Sequence, residues 1–130
     1  MPNFEVFTQR ASPLAGVALV TIQKRGTLSL NRSAFAALCE PEAVELLFDR
    51  TARVIGLRHT QPEAAHAHLV RKPAGRGGPF VISAIAFIRF YAIDIDRSLR
   101  WQARLEHGVL CVELSSAATP VTSNRAAHPV

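Results

Sequence analysis

Gly26-Thr27-Leu28-Ser29-Leu30-Asn31-Arg32-Ser33-Ala34-Phe35 lies, without a gap, over Gly78-Pro79-Phe80-Val81-Ile82-Ser83-Ala84-Ile85-Ala86-Phe87, 52 residues further on. Three of the ten positions are identical, but the agreement of physical roles says more than the identities. Each copy opens on a glycine, which takes the positive φ of a tight turn freely. Each continues with an apolar pair two apart, the spacing that puts both side chains on one face of a strand. Each then offers an N-cap residue, Asn31 or Ser83, whose side chain accepts from the first free amides of a helix. A phenylalanine follows four residues after the cap. The pattern predicts a strand–turn–strand–helix–strand–strand unit present twice in diverged form.

Working outward, Val17 to Lys24 reads as the first strand, with Ala18, Val20 and Ile22 on one face, and Arg25-Gly26 as its turn. Thr27 to Leu30 returns, and Arg32 to Cys39 forms a helix with Ala34, Phe35 and Leu38 inward, stopped by Pro41. Val44, Leu46 and Phe48 alternate on a further strand that turns at 49–52 into Arg53 to Arg58. In the second half, His66 to Arg71 is a strand, 72–78 a longer glycine-rich turn and Pro79 to Ile82 a strand. Ser83 caps a helix reaching about Ala92. Leu99 to Leu105 is a strand with Leu99, Trp101, Ala103 and Leu105 on one face, turning at Glu106-His107-Gly108 into Val109 to Leu114. Phe4 to Thr8 reads as an additional N-terminal strand, and the Ser-, Ala-, Thr- and Pro-rich residues 115–130 as a disordered tail. The expected fold class is α+β: two pseudo-symmetric ββαββ units, about 17–59 and 65–114, forming one small barrel-like domain over residues 1–114.

A chain of 130 residues suits one domain with one core. The longest apolar stretch, Phe80 to Ile88, is interrupted by Ser83 and is far short of the ~20 residues that span a bilayer. No basic leader precedes an apolar segment at the N-terminus, so no signal peptide is expected. Cys39 and Cys111 sit in apolar surroundings and form no CxxC pair, so they read as small buried hydrophobes in a reducing cytoplasm. The net charge of +5 favours polyanionic partners. Thirteen of the fifteen basic residues are Arg, which suits bidentate phosphate and guanine contacts, although a GC-rich coding sequence gives the same bias.

The order Lys24-Arg25-Gly26, Leu28-Ser29-Leu30, Leu38, Val44-Glu45-Leu46, Asp49 and Ile55-Gly56-Leu57 resembles the swapped-hairpin DNA-binding family of the AbrB, MazE and SpoVT type. The resemblance covers about forty residues. That family places a glycine after the helical leucine, where this chain has Cys39. Its members dimerise to close a barrel, so a tandem copy in one chain corresponds to that dimer fused. The resemblance implies duplex-DNA binding through basic hairpin and helix residues.

The basic residues collect near the two equivalent turns: Lys24, Arg25 and Arg32 in the first unit, and Arg71, Lys72, Arg76 and, within the helix, Arg89 in the second. Twin charged turns suit a phosphate backbone. These seven residues are the candidate nucleic-acid contacts. The partner expected is double-stranded DNA, with the chain acting as a transcriptional or mobile-element regulator. The alternative is a protein-interaction module or antitoxin-like partner-binding protein, and a homodimer is compatible with either. Other features carry less. Trp101 beside Arg100, Gln102 and Arg104 suggests a base-stacking groove, but strand alternation sends the indole to the opposite face. Tyr91 and Phe90 read as packing residues. His59, His66 and His68 lack the companion ligands of a metal site, and Asp94-Ile95-Asp96 lacks the remainder of a calcium loop. No nucleophile, metalloprotease, Walker or dinucleotide motif occurs, so neither enzyme chemistry nor a cofactor is expected.

Overall fold

The computed structural model describes residues 3, 16–75 and 77–121. They form a small α+β domain of two five-stranded antiparallel sheets and two short helices. The first hairpin is β1 (Leu19–Ile22) and β2 (Thr27–Leu30), paired through Val20↔Leu30 and Ile22↔Leu28. Its turn closes by Gln23 N donating to the Thr27 carbonyl, with Gly26 at φ +96°. A side chain at Gly26 would also strike Ile85, whose Cα lies 3.0 Å from an ideal Cβ there.

Asn31 governs the exit from β2. Its Oδ1 accepts from Ala34 N (2.9 Å), capping α1 (Arg32–Ala37), and also from Leu19 N (3.0 Å), while its Nδ2 donates to the Val17 carbonyl (2.8 Å). One side chain thus holds the helix start against the beginning of β1. The helix is two residues shorter than the periodicity predicts, because Cys39 and Glu40 adopt positive φ (64° and 51°) before buried Pro41. His59 Nδ1 lies 2.8 Å from the Leu38 carbonyl. A carbonyl only accepts, so Nδ1 carries the proton and satisfies one free acceptor at the helix end. Cys39 is exposed at this bend, contrary to the expectation of a buried thiol.

The chain then forms the long hairpin β3 (Ala43–Asp49) and β4 (Val54–Thr60). Of the strand expected over 66–71, only β5 (His68–Leu69) and a bridge from Arg71 to Val81 appear. β6 (Phe80–Ser83) pairs antiparallel with β2, with Ser29 opposite Val81. The helix α2 (Ile85–Phe90) starts later than its counterpart, and Ser83 does not cap it. Ser83 remains in the sheet opposite Thr27, and the Ala84 amide donates to the Gly26 carbonyl, so the first hairpin's turn satisfies that donor instead.

The strand expected over Leu99 to Leu105 divides at Ala103 between the sheets. β7 (Leu99–Gln102) pairs with β1, and the Ala103 amide donates to the Ala18 carbonyl. β8 (Arg104–Glu106) then pairs with β9 (Val109–Glu113), which lies against β4. The division leaves Leu105 at an edge and about half exposed, where simple alternation expects it in the core. Residues expected to begin the tail instead continue into β10 (Thr119–Pro120), hydrogen-bonded to β7. The Phe4–Thr8 strand and the tail from 122 onward lie outside the described residues.

The sheet orders are β10-β7-β1-β2-β6 and β5-β3-β4-β9-β8. Their inner faces share one core, with Val20, Ile22, Leu28, Leu30, Ile82 and Trp101 from the first and Val44, Ile55, Leu57, Leu110 and Val112 from the second. Phe35 and Phe80 stack in it with ring centroids 3.8 Å apart. No helix among the described residues is long and apolar enough to cross a membrane.

Candidate nucleic-acid interface

Inward-facing Val20, Ile22, Leu28, Leu30, Phe80, Ile82 and Trp101 leave the alternate residues of the first sheet on its outer face. The strand registers align one row across that face: Thr119, Arg100, Thr21, Ser29, Val81 and Arg71. At ~4.8 Å per strand the backbones of Arg100 and Arg71 stand about 19 Å apart. Thr21 and Ser29 form the floor between them. The Arg100 Nε donates to Thr21 Oγ1 (3.2 Å), and Gln23 Nε2 donates to Ser29 Oγ (2.9 Å). Above this floor opens a concavity of about 560 Å³, bounded by Arg32, Arg100, the Gly77–Pro79 segment and Val121. Among the described residues its lining contains no carboxylate.

The lack of acid extends to the whole layer. None of the ten acidic residues lies in 16–39, 64–93 or 97–105, the segments that build most of the first sheet. The second sheet carries Glu45, Asp49, Glu106 and Glu113 on its strands. The arginines on its strands are neutralised there: Arg58 Nη2 meets Glu45 Oε1 at 2.6 Å, and Arg104 binds both Glu106 and Glu113. The Arg104 hydrogen bond and charge hold the Glu106 carboxyl below its usual range. Among the described residues, Lys24, Arg25, Arg32, Arg71, Lys72 and Arg100 form no such ion pair.

The candidate residues do not form twin prongs at one end. Lys24 and Arg25 are exposed on the β1–β2 turn, beside the start of α2, with the Lys24 amide held by Ser98 Oγ at 3.2 Å. Because β2 and β6 are antiparallel, the turn over 72–78 emerges at the other end of that strand pair, above Leu30 to Arg32. Strand direction therefore separates the twin charged turns, expected to serve one phosphate backbone, to opposite ends of the strand pair. Arg32 lines the concavity, its guanidinium carbon 5.3 Å from the Phe80 ring centre. Arg71 and Lys72 are exposed beyond β6. Arg76 lies outside the described residues. Arg89 is exposed on α2, the helix whose Phe87 meets Phe48 of the second sheet, and does not line the concavity.

Two further groups matter. Arg100 belongs to the face although it is not among the seven residues expected from the sequence. Its alternation with Leu99 and Trp101 was visible, but its membership of the first sheet was not. Trp101 is buried at 3% exposure, as alternation predicts. Phe90, expected to pack, is 71% exposed and touches Tyr91. Arg50 lies over the Tyr91 ring at 4.8 Å and Arg53 over Phe48 at 5.4 Å. No His, Cys, Asp or Glu grouping among the described residues could hold a metal ion. No family model, curated protein or solved structure matches this chain.

Proposed function

We propose that this chain is a non-enzymatic nucleic-acid-binding protein that lays the outer face of its first sheet on duplex DNA, in the manner of a transcriptional or mobile-element regulator. The observation that carries the reading is the partition of charge between the layers: a basic sheet whose strands carry no carboxylate, backed by one whose strand arginines are already paired. A polyanion meets no repulsion on the first and no unpaired arginine on the strands of the second. The ~19 Å between Arg100 and Arg71 exceeds the ~12 Å width of the major groove. The two arginines are thereby spaced to meet phosphates on either side of it. Arg32 adds a phosphate contact beside the buried Thr21–Ser29 floor, and Lys24, Arg25 and Lys72 extend the contact along the strands.

The same reading includes an internal pseudo-twofold relating two ββαββ units, as in a fused swapped-hairpin dimer. Supporting it, Ser29 and Val81 are equivalent at the 52-residue spacing and stand directly opposite one another in the β2–β6 register. A twofold between them passes through the centre of the basic face. A duplex with approximate dyad symmetry matches such a surface.

Six phosphate contacts, from Lys24, Arg25, Arg32, Arg71, Lys72 and Arg100, imply a slope of log K against log salt of about −5, or roughly a thousandfold loss of affinity between 50 and 200 mM salt. A mobility-shift titration on random duplex DNA measures it. Arg32→Ala with Arg100→Ala should flatten the slope by about two. Absence of binding to duplex at low salt would refute the function.

A further inference from the structure

The hairpin turn between β3 and β4 meets the end of α2 in a continuous run of aromatic and guanidinium groups. Arg53 covers Phe48, the Phe48 ring centre lies 4.9 Å from that of Tyr91, Arg50 covers Tyr91, and the Phe90 ring centre lies 4.9 Å from that of Tyr91, edge to face. The inner members pack against Phe87 of the core. Phe90 alone stands out, at 71% exposure, with Arg89 exposed beside it. A phenylalanine that gains nothing from the core, next to cations held on aromatic faces, combines a stacking plane with phosphate-binding charge. Asp49 Oδ1 accepts from the Ala52 amide within its own turn, and Asp94 lines a small cleft together with Arg53 and Trp101.

We propose that Phe90 is a stacking platform for an unpaired nucleobase, with Arg50, Arg53 and Arg89 taking the adjoining phosphates. The proposal rests on the nucleic-acid reading above and narrows its ligand to a duplex continuing into a single strand. The path is short. The start of α2 sits on the Lys24–Arg25 turn through the Ala84–Gly26 hydrogen bond, and the six-residue helix carries the chain about 9 Å from there to Phe90. A strand leaving the duplex at that turn reaches the platform within two or three nucleotides, at ~3.4 Å per phosphate. Every base has a π-face, so the platform accepts any unpaired base, while the sheet face accounts for duplex affinity.

The test compares a blunt duplex with the same duplex carrying a four-thymidine overhang, by fluorescence anisotropy at fixed salt, on the full chain. Wild type should bind the overhang substrate at least about five-fold more tightly. Phe90→Ala should remove that difference and leave blunt-duplex affinity unchanged, and Phe90→Trp should preserve it. Because Phe90 is exposed, Phe90→Ala should retain the wild-type circular dichroism spectrum. Equal wild-type affinity for both substrates, or an overhang preference surviving Phe90→Ala, would overturn the platform while leaving duplex binding standing. Failure of wild type to bind either substrate would overturn both. Suppression of the overhang preference by poly-glutamate as efficiently as by oligothymidylate would assign the patch to an acidic protein segment and also overturn the inference.

Discussion

Asn31→Ala is the substitution that most sharply tests how the first unit holds together. The side chain makes three bonds: the cap on Ala34 N, the acceptance from Leu19 N and the donation to the Val17 carbonyl. Loss of an N-cap costs about 1 kcal/mol, and each of the other two bonds contributes about another 1 kcal/mol. The sum of about 3 kcal/mol is a large share of a typical domain's 5–15 kcal/mol. Ser83→Ala is the matched control. Ser83 occupies the aligned position in the second half but is exposed and caps nothing, so its removal should cost no more than about 0.5 kcal/mol. Asn31→Asp should fall between, keeping the acceptor and losing the donor to Val17. Urea denaturation followed by circular dichroism measures all three, with the midpoint falling at unchanged m for Asn31→Ala. Equal losses for Asn31→Ala and Ser83→Ala would refute the assignment of distinct roles to the two positions.

Gly56→Ala should destabilise by about 1–3 kcal/mol through overpacking, since an added Cβ would come within 2.8 Å of Val109 Cγ1 and 3.4 Å of Leu47 Cβ; thermal unfolding reads this directly. Alkylation with iodoacetamide at mildly alkaline pH should modify exposed Cys39 first and Cys111 slowly, because burial pushes the Cys111 thiol up. Mass spectrometry over time distinguishes that order from its reverse. Glu106 is stabilised as the carboxylate by Arg104, so its contribution is present above the unfolded carboxyl range and disappears as pH falls through the lowered folded value. In Arg104→Ala the Glu106 carboxyl should titrate at higher pH, observable by side-chain carboxyl NMR.

The features legible in the sequence were those fixed by neighbouring residues. Asn31 capping a helix, Leu28 and Leu30 facing inward, and Trp101 opposite Arg100 follow from local spacing, and all appear where expected. Failures came where a distant segment decides. Ser83 has the right chemistry for a cap, but the carbonyl of Gly26, 58 positions away along the chain, takes the Ala84 amide and draws the strand one residue further. Leu105 keeps the right alternation, yet Ala18 engages Ala103 and sends the chain into the other sheet. The basic turns were identifiable from composition, whereas their separation to opposite ends depends on the antiparallel pairing of β2 with β6. Arg100 was lost for the same reason: its face was readable, its sheet was not.

The central claim concerns which surface meets the nucleic acid, and amide chemical-shift mapping of the isotopically labelled chain against a duplex addresses it most directly. Perturbations should concentrate at Thr21, Gln23, Ser29, Arg32, Arg71, Val81 and Arg100 and spare Glu45, Arg58, Cys111 and Glu113. Shifts centred on the second sheet, or none at saturating duplex, would contradict the account.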